Sequence, residues 1–314
     1  MNSKWLITGG AGYIGAHLVI DMLNHGYEVV VLDSMVNGYQ ERIPAGVDLL
    51  QSDIRDEEFI RNLLNKSDFE GIVNLAALKS VEESISNEDL YFSVNFKAVV
   101  RLAEIAKNSG IRYFLQSSTA AVYGISESEE VTEESSTNPI SPYGQSKLDA
   151  ELALNEISKS SNLSSLSLRF FNVLGSANNK LRDFSKDNLV PKVLEKIRNG
   201  QQPEIYGNDY PTPDGTCIRD YVHVQDISMG HLLAIDAMRK GIRPGVLNLG
   251  SGRGYSVKEV INKILEITHL DLTPKVVARR KGDIPKIIAS IEKSRKIIGF
   301  TPKYDLDSMI RTSI

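Results

Sequence analysis

The apolar run Lys4–Thr8 passes directly into TGGAGYIG, and beyond it Ile14, Leu18 and Met22, with Val19 and Leu23, recur at the spacing of one helix face. A strand that enters an amphipathic helix through a glycine turn opens a β-α-β unit. Repeating that unit commits a chain to a parallel sheet with crossover helices. The rest of the sequence repeats it. Short apolar runs predict strands over 28–33, 48–52, 71–75, 113–117, 165–171 and 246–249. Segments of helical periodicity predict helices near 56–65, 89–108, 143–159, 188–199, 226–240 and 256–267. The expected fold is α/β, a Rossmann-type doubly wound parallel sheet with a smaller C-terminal α/β lobe.

After residue 172 the alternation breaks into GSANNKLRDFSKDN and YGNDYPTPDGTC, whose Asn, Asp, Gly and Pro mark long loops; loops of that length often carry function. We therefore expect a dinucleotide-binding domain over 1–172 and a substrate lobe mainly over 173–314, with a segment near 220–250 returning to the first domain. A chain of 314 residues is long enough for both. Its formal charge of −4, with no long Lys/Arg run, argues against nucleic acid as a partner. The lone cysteine, Cys217, rules out an internal disulfide and a cysteine-rich zinc site, and no metal is expected. Trp5-Leu6-Ile7 is too short for a signal-peptide core and no run approaches a membrane span, so the expectation is a cytoplasmic protein with no membrane partner.

Within the first turn, Gly10, Gly12 and Gly15 fit G-x-G-x-x-G, and Gly9, Gly12 and Gly15 fit G-x-x-G-x-x-G. Glycines there let the backbone approach a pyrophosphate, which the unpaired N–H groups and positive dipole end of the following helix attract. Asp33 ends the second predicted strand. A carboxylate at that place accepts from the adenosine ribose hydroxyls and repels the extra phosphate of NADP. Turn and acid together predict NAD, with Tyr13 and Ile14 adding backbone donors.

SPYGQSK, at 141–147, places Tyr143 and Lys147 one helical turn apart on the same face. Alone, such a pair is common on solvated helices. A phenol, with an ordinary pKa of about 10, becomes a usable base at neutral pH only when its anion is stabilised. A neighbouring ammonium and a positive nicotinamide ring would both do that.

The nucleotide fold, the STAAVYG run after the fifth strand and Tyr143-Gly-Gln-Ser-Lys147 together resemble the extended short-chain dehydrogenase/reductase superfamily. Within it, TGGAGYIGAH, LAALKSVEES, RFFN and above all IYGNDYPTPDGTCIRDYVHVQD resemble the UDP-glucose 4-epimerase family, and the likeness runs from Thr8 to about Asp283. It implies NAD-dependent 4-epimerisation of a UDP-hexose. The sugar C4 is oxidised to a 4-keto group and hydride returns to the other face, with no net oxidation. The resemblance implies Tyr143 as base, Lys147 as the group that lowers its pKa and holds the nicotinamide ribose, and Thr119, where Ser is more usual, as the catalytic hydroxyl.

For the cofactor, the resemblance adds Asn37 at the adenosine ribose, Asp53 and Ile54 at the adenine, and Asn95 facing the pyrophosphate. Leu75, Ala76, Ala77, Lys79, Ser117 and Phe170 complete that set. For the UDP-sugar it implies Lys79, Thr119, Tyr143, Asn172, Asn188, Leu189, Tyr206, Arg219, Arg280 and Asp283. Arginine suits a diphosphate because its planar fork donates bidentately. A homodimer is implied as well, with the helices near 89–108 and 143–159 packing across a two-fold axis.

Phe170 stands for the tyrosine of the family's RYFN, Ala77 for a glycine, and the loop 176–188 is short. Ile287 occupies the position that in the family gates an N-acetyl group, so UDP-GlcNAc and UDP-glucuronate stay open as substrates. Ala120-Ala121, directly after Thr119, lacks the carboxylate that the superfamily's 4,6-dehydratases and decarboxylases need. A simple dehydrogenase releasing reduced cofactor and a non-catalytic NAD-binding sensor on the same fold are the remaining readings.

Overall fold

The computed structural model describes residues 3–314 except 127, 129 and 281. Its main sheet contains β1 (Lys4–Thr8), β2 (Glu28–Asp33), β3 (Asp48–Gln51), β4 (Phe69–Asn74), β5 (Tyr113–Thr119) and β6 (Ser164–Phe170), with Val246–Leu249 at the edge beside β6. All neighbours are parallel, and from that edge the order is β6, β5, β4, β1, β2, β3. The crossovers of this half are α1 (Tyr13–Asn24), α2 (Glu57–Asn65), α3 (Val81–Ser86), α4 (Glu88–Phe92), α5 (Ala98–Asn108) and α6 (Pro142–Lys159). The single helix expected over 89–108 is interrupted: between α4 and α5 the backbone widens into a π-helical stretch, Ser93–Lys97.

Side chains alternate across this sheet, and the sequence distributes its apolar residues accordingly. Trp5 and Ile7 of β1, with Val29 and Val31 of β2, pack on the face that holds Leu18 and Met22 of α1. Leu6, Val30 and Leu32 point to the opposite face, against Ile60 and Leu64 of α2, Leu102 and Ile105 of α5 and Leu154 of α6. Each β strand between two helical layers is therefore apolar on both sides, which is why the runs read as continuous rather than alternating.

The remaining chain builds smaller elements: β7 (Asn172–Leu174), α7 (Leu189–Arg198), β8 (Glu204–Tyr206), β9 (Ile218–His223), α8 (Val224–Arg239), β10 (Val246–Leu249), β11 (Gly254–Ser256), α9 (Val257–Thr268), β12 (Lys275–Val277), β13 (Lys286–Ile287), α10 (Glu292–Ile298) and α11 (Leu306–Ser313). β9 is the centre of a small sheet, flanked by β11, β13 and β7, and β8 pairs with β12. α8 packs beside α1, Ile227 and Ile235 joining the same core cluster, and β10 lies parallel to β6 with Leu249 opposite Phe170. A separate apolar cluster, with Val190, Val193, Ile261, Ile264 and Met309, holds the C-terminal lobe together.

Candidate active site

Between β1 and β4 the strand order reverses, so a crevice opens at the carboxyl ends of these two strands. Gly9 ends β1 there with φ +70°, and a Cβ on it would stand 2.6 Å from the Ala76 nitrogen just past β4. A Cβ on Gly15 would stand 2.3 Å from the Gly9 carbonyl oxygen, so glycine is also what seats α1 on the turn. α1 begins after Gly12 with no side-chain cap and no acid in its first turn. Its first N–H groups and dipole end are left for an anion. This cradle fits a dinucleotide's pyrophosphate, with adenosine towards Asp33.

Asp33 is 7% exposed, and its two carboxylate oxygens accept from the Ala11 nitrogen at 3.0 Å and the Met35 nitrogen at 2.9 Å. It therefore ties the glycine turn to the end of β2 in addition to presenting lone pairs beside it. On the opposite wall the Leu75 nitrogen donates to Thr8 O at 2.9 Å, and Ala76 and Ala77 follow half-buried. A buried row of side chains, Thr8 to Asn74 to Gln116, crosses β1, β4 and β5 and ends where Gln116 Nε2 donates to Ser117 O at 2.9 Å. Sequence reasoning passed over this row, because only the strand register brings its members together.

Several expected cofactor residues also make contacts within the chain. Asn95, expected to face the pyrophosphate, is 0% exposed; its amide donates to Leu78 O at 2.9 Å and accepts from Leu78 N at 2.9 Å, reaching Ser146 Oγ at 3.3 Å. The π-helical stretch presents it to the 75–80 loop, which it clamps. Asp53 accepts from Arg55 N, Nε and Nη2 at 2.8, 2.9 and 2.8 Å, and that pairing holds its carboxyl below the usual range. Ile54 buries its side chain in the core, while Asn37 and Lys79 are exposed. The Tyr13 phenol is buried and donates to Gly175 O, and burial pushes its pKa well up. His17 meets Tyr13 O through Nδ1 at 2.8 Å and accepts from Ala177 N through Nε2 at 3.1 Å, so the network assigns the proton to Nδ1. Phe170 lies at the end of β6, tilted against His231 at 5.4 Å, with most of its ring in the core.

Thr119 and Tyr143 meet because α6 starts close to the end of β5. Ser141 caps the helix, its Oγ accepting from Gly144 N at 3.2 Å, and Pro142 occupies the first turn. A Cβ on Gly144 would lie 2.7 Å from the carbonyl oxygen of Ala121, in the 3₁₀ turn Ala120–Val122 that follows β5. Burial pushes the Tyr143 phenol up, and a hydrogen bond with the Thr119 hydroxyl pulls it back. Lys147, 2% exposed, donates from Nζ to Ser117 O at 3.0 Å and Ser117 Oγ at 3.3 Å. Burial lowers the Lys147 ammonium to about 8, against the opposing pull of the Glu151 carboxylate. The two groups are thus shifted in opposite directions, the phenol up and the ammonium down. Glu151 was also passed over, although it repeats the Tyr143–Lys147 spacing one turn further on.

In the C-terminal lobe a cleft is lined by Asn172, Asn188, Leu189, Tyr206, Arg219, Arg280 and Asp283, together with Lys192, Lys196, Thr216 and Cys217. Arg219 stands on β9 and donates to Ile284 O at 2.7 Å and Ile218 O at 3.0 Å. Its other nitrogen is 3.6 Å from Asp283, which also accepts from Arg280 Nε at 3.2 Å. Arg280 lies over the Tyr206 ring at 4.7 Å, and Lys192 approaches the same ring at 5.7 Å. Asp187 and Glu204 also line the cleft, Glu204 pairing with Lys196 at 2.8 Å, so Lys192, Lys196, Arg219 and Arg280 stand there among three carboxylates, and the two arginines are the planar donors that could meet a diphosphate. Among the described residues, Lys79, Thr119 and Tyr143 do not line this cleft. Ile287 pairs with Arg219 across β13 and β9 and is buried in the core cluster that includes Ala120 and Phe171. The described residues contain no cluster of three potential metal ligands and no helix long and apolar enough to cross a membrane.

Fold and site define a doubly wound dinucleotide-binding protein with a tyrosine and a buried lysine one helical turn apart where α6 meets the sheet's carboxyl edge. The chain belongs to the NAD dependent epimerase/dehydratase family, whose model matches residues 5–250. It is 35% identical to a UDP-glucose 4-epimerase of Corynebacterium glutamicum over 98% of this chain and 93% of that one. It superimposes with TM-score 0.93 and 32% identity on a UDP-glucose-4-epimerase from Stenotrophomonas maltophila with bound NAD and formylated UDP-arabinopyranose, covering 99% of this chain and 97% of the other. A UDP-glucose 4-epimerase from Bifidobacterium longum in complex with NAD+ and UDP gives TM-score 0.91 at 31% identity, with 99% and 97% covered.

Proposed function

We propose that this chain is an isomerase that interconverts UDP-glucose and UDP-galactose, using NAD as a resident cofactor. The observation that carries the reading is the start of α6 against the turn after β5, which sets Tyr143 beside Thr119 and seats the buried Lys147 on Ser117, in a fold that also holds a glycine-lined pyrophosphate cradle. When bound, NAD supplies a hydride acceptor that returns the same hydride. The chain supplies the rest. Tyr143 Oη takes the proton of the sugar 4-hydroxyl and later gives it back, while Thr119 Oγ1 holds the phenol in register. Lys147 supports the phenolate and reaches the nicotinamide ribose. Gly9, Gly12, Tyr13, Ile14 and Gly15 cradle the pyrophosphate and Asp33 the adenosine ribose. Asn172, Asn188, Leu189, Tyr206, Arg219, Arg280 and Asp283 hold the UDP group, the arginines meeting its phosphates.

In this reading residues 1–172 bind the cofactor and 173–314 mainly the substrate, the segment near 220–250 rejoining the main sheet through β10. Incubation with UDP-galactose, UDP-GalNAc and UDP-galacturonate, without added cofactor, followed by NMR of the products, tests the assignment. Conversion of UDP-galactose to its 4-epimer without accumulating NADH is expected, and Tyr143→Phe should lower turnover by about 10²–10⁴-fold while the protein keeps its NAD. No conversion of any of the three, even with NAD added, would contradict it. The same panel decides whether Ile287 admits an N-acetyl or carboxylate group.

A homodimer is proposed too, supported by the apolar side chains that α3, α4 and α6 leave exposed, Ile85, Leu90 and Leu152. Light scattering on the eluting protein should give twice the chain mass, and Leu152→Glu should return it to one chain.

A further inference from the structure

Lys147 and Tyr143 pose a problem of order. Burial acts on the two in opposite directions, and the ammonium meets only the neutral oxygens of Ser117. A lysine that has lost its proton cannot stabilise a phenolate. Glu151, one helical turn further along α6 and 4% exposed, is the carboxylate whose charge acts to keep the proton on Lys147.

Glu151 is held from two sides. Ser118 Oγ donates to it from β5, and Arg169 on β6 grips it bidentately, Nε to Oε1 at 3.0 Å and Nη2 to Oε2 at 2.6 Å. Arg169 in turn lies over the Tyr123 ring at 4.7 Å. Ser118 sits between Ser117, which takes the Lys147 ammonium, and Thr119, which bonds Tyr143. Other charged and titratable groups on the elements packed against α6 are engaged elsewhere. Glu83 of α3 accepts from Tyr91 of α4, whose ring meets Tyr143 edge-on at 6.4 Å. On α5, Arg101 pairs with Glu104 at the surface, and Lys97, the last residue of the π-helical stretch, is exposed. The end of β5 and the 3₁₀ turn after it present only uncharged side chains, Ser117 to Val122, and Arg169 is the charged residue of β6.

We propose that Glu151 is a positioning residue of the active site: its buried carboxylate keeps Lys147 an ammonium and pins the Ser117–Thr119 end of β5 against α6, so that Tyr143 can ionise at lower pH. The inference rests on the reading of Tyr143 as the base. It is tested without turnover. The ultraviolet absorbance of phenolate, followed against pH for the protein as purified and for Tyr143→Phe, gives by difference the midpoint of Tyr143.

Glu151→Gln removes the charge at constant shape. Glu151→Met with Arg169→Met removes both charges and leaves no unpaired ion, so a purely structural role would be rescued by it. In each variant that keeps a cooperative melting transition, the Tyr143 midpoint should rise by about one pH unit or more, as loss of the proton on the neighbouring Lys147 predicts. The acidic limb of kcat against pH should move up with it, so that turnover at neutral pH falls about tenfold while KM stays near the parent value. A folded variant of either kind with an unmoved midpoint would overturn the proposal. So would failure of both to fold, which would make Glu151 a structural residue only. Absence of epimerase activity in the parent protein would strike the functional reading and leave the absorbance result interpretable on its own.

Discussion

Lys147 shows how far the active site departs from what stability alone would select. Its ammonium is buried, so the folded protein releases that proton at about 8, whereas an unfolded lysine holds it to 10.5. Between those values the unfolded chain binds more protons, so this group's contribution to stability rises with pH across that window and its full penalty is present below about 8. Lys147→Met removes the penalty, and Ser117 O keeps the bond from Gln116 Nε2. Scanning calorimetry at neutral pH should give a Tm higher by about 2 °C or more, a gain that shrinks as pH rises towards 10.5. A Tm below that of the parent would show that the ammonium stabilises the fold. The residues of this site divide cleanly in legibility. Gly9, Gly15, Asp33, Tyr143 and Lys147 stand out by motif spacing, and Thr119 by the family resemblance alone. The partners of Asn95, Asp53 and Glu151 could not be found, since a side chain's bonds depend on which loop or strand folds back over it.

At the scale of elements, α6 is where sequence and structure agree most closely: the expected 143–159 and the observed Pro142–Lys159 differ by one residue, because Ser-Pro is a cap with a mechanism. Gly144 gives that helix its starting point, close enough to the turn after β5 for Tyr143 to meet Thr119. Gly144→Ala would put a methyl 2.7 Å from the Ala121 oxygen and force the two apart. Stability should fall by about 1–3 kcal/mol, as overpacking does. Turnover should fall by about tenfold or more, as a misplaced catalytic group costs. Urea titration and kcat check both, and unchanged kcat would show that the approach is not what aligns the pair.

The long strands were equally legible, β1, β2 and β10 to the residue. The strands β7, β8, β11, β12 and β13 are three residues or fewer, too short for any periodicity to register, and β9 lies in a polar stretch; they exist because neighbouring strands and the C-terminal core hold them. The π-helical stretch was invisible for a different reason: it inserts no residue that a helix would reject, and its signature is the buried Asn95 it delivers.

For the whole molecule, the two halves are joined at more than their chain crossings. The 176–188 segment follows β7, receives Arg42 Nη2 on Arg182 O at 2.6 Å, sets Phe184 against Tyr39, and leads into Asn188 and Leu189 in the cleft of the C-terminal lobe. The glycine-turn half and the lobe that holds the cleft are thereby tied together by side-chain contacts as well as by the chain. The central claim is that C4 of the sugar is oxidised and reduced in place by one hydride that never reaches water. UDP-galactose deuterated at C4, given to the purified protein in ordinary water, tests it directly. The UDP-glucose formed should retain its deuterium at C4, with no accumulation of reduced cofactor. Product in which C4 carries protium from solvent, or net formation of NADH with no epimer, would contradict it.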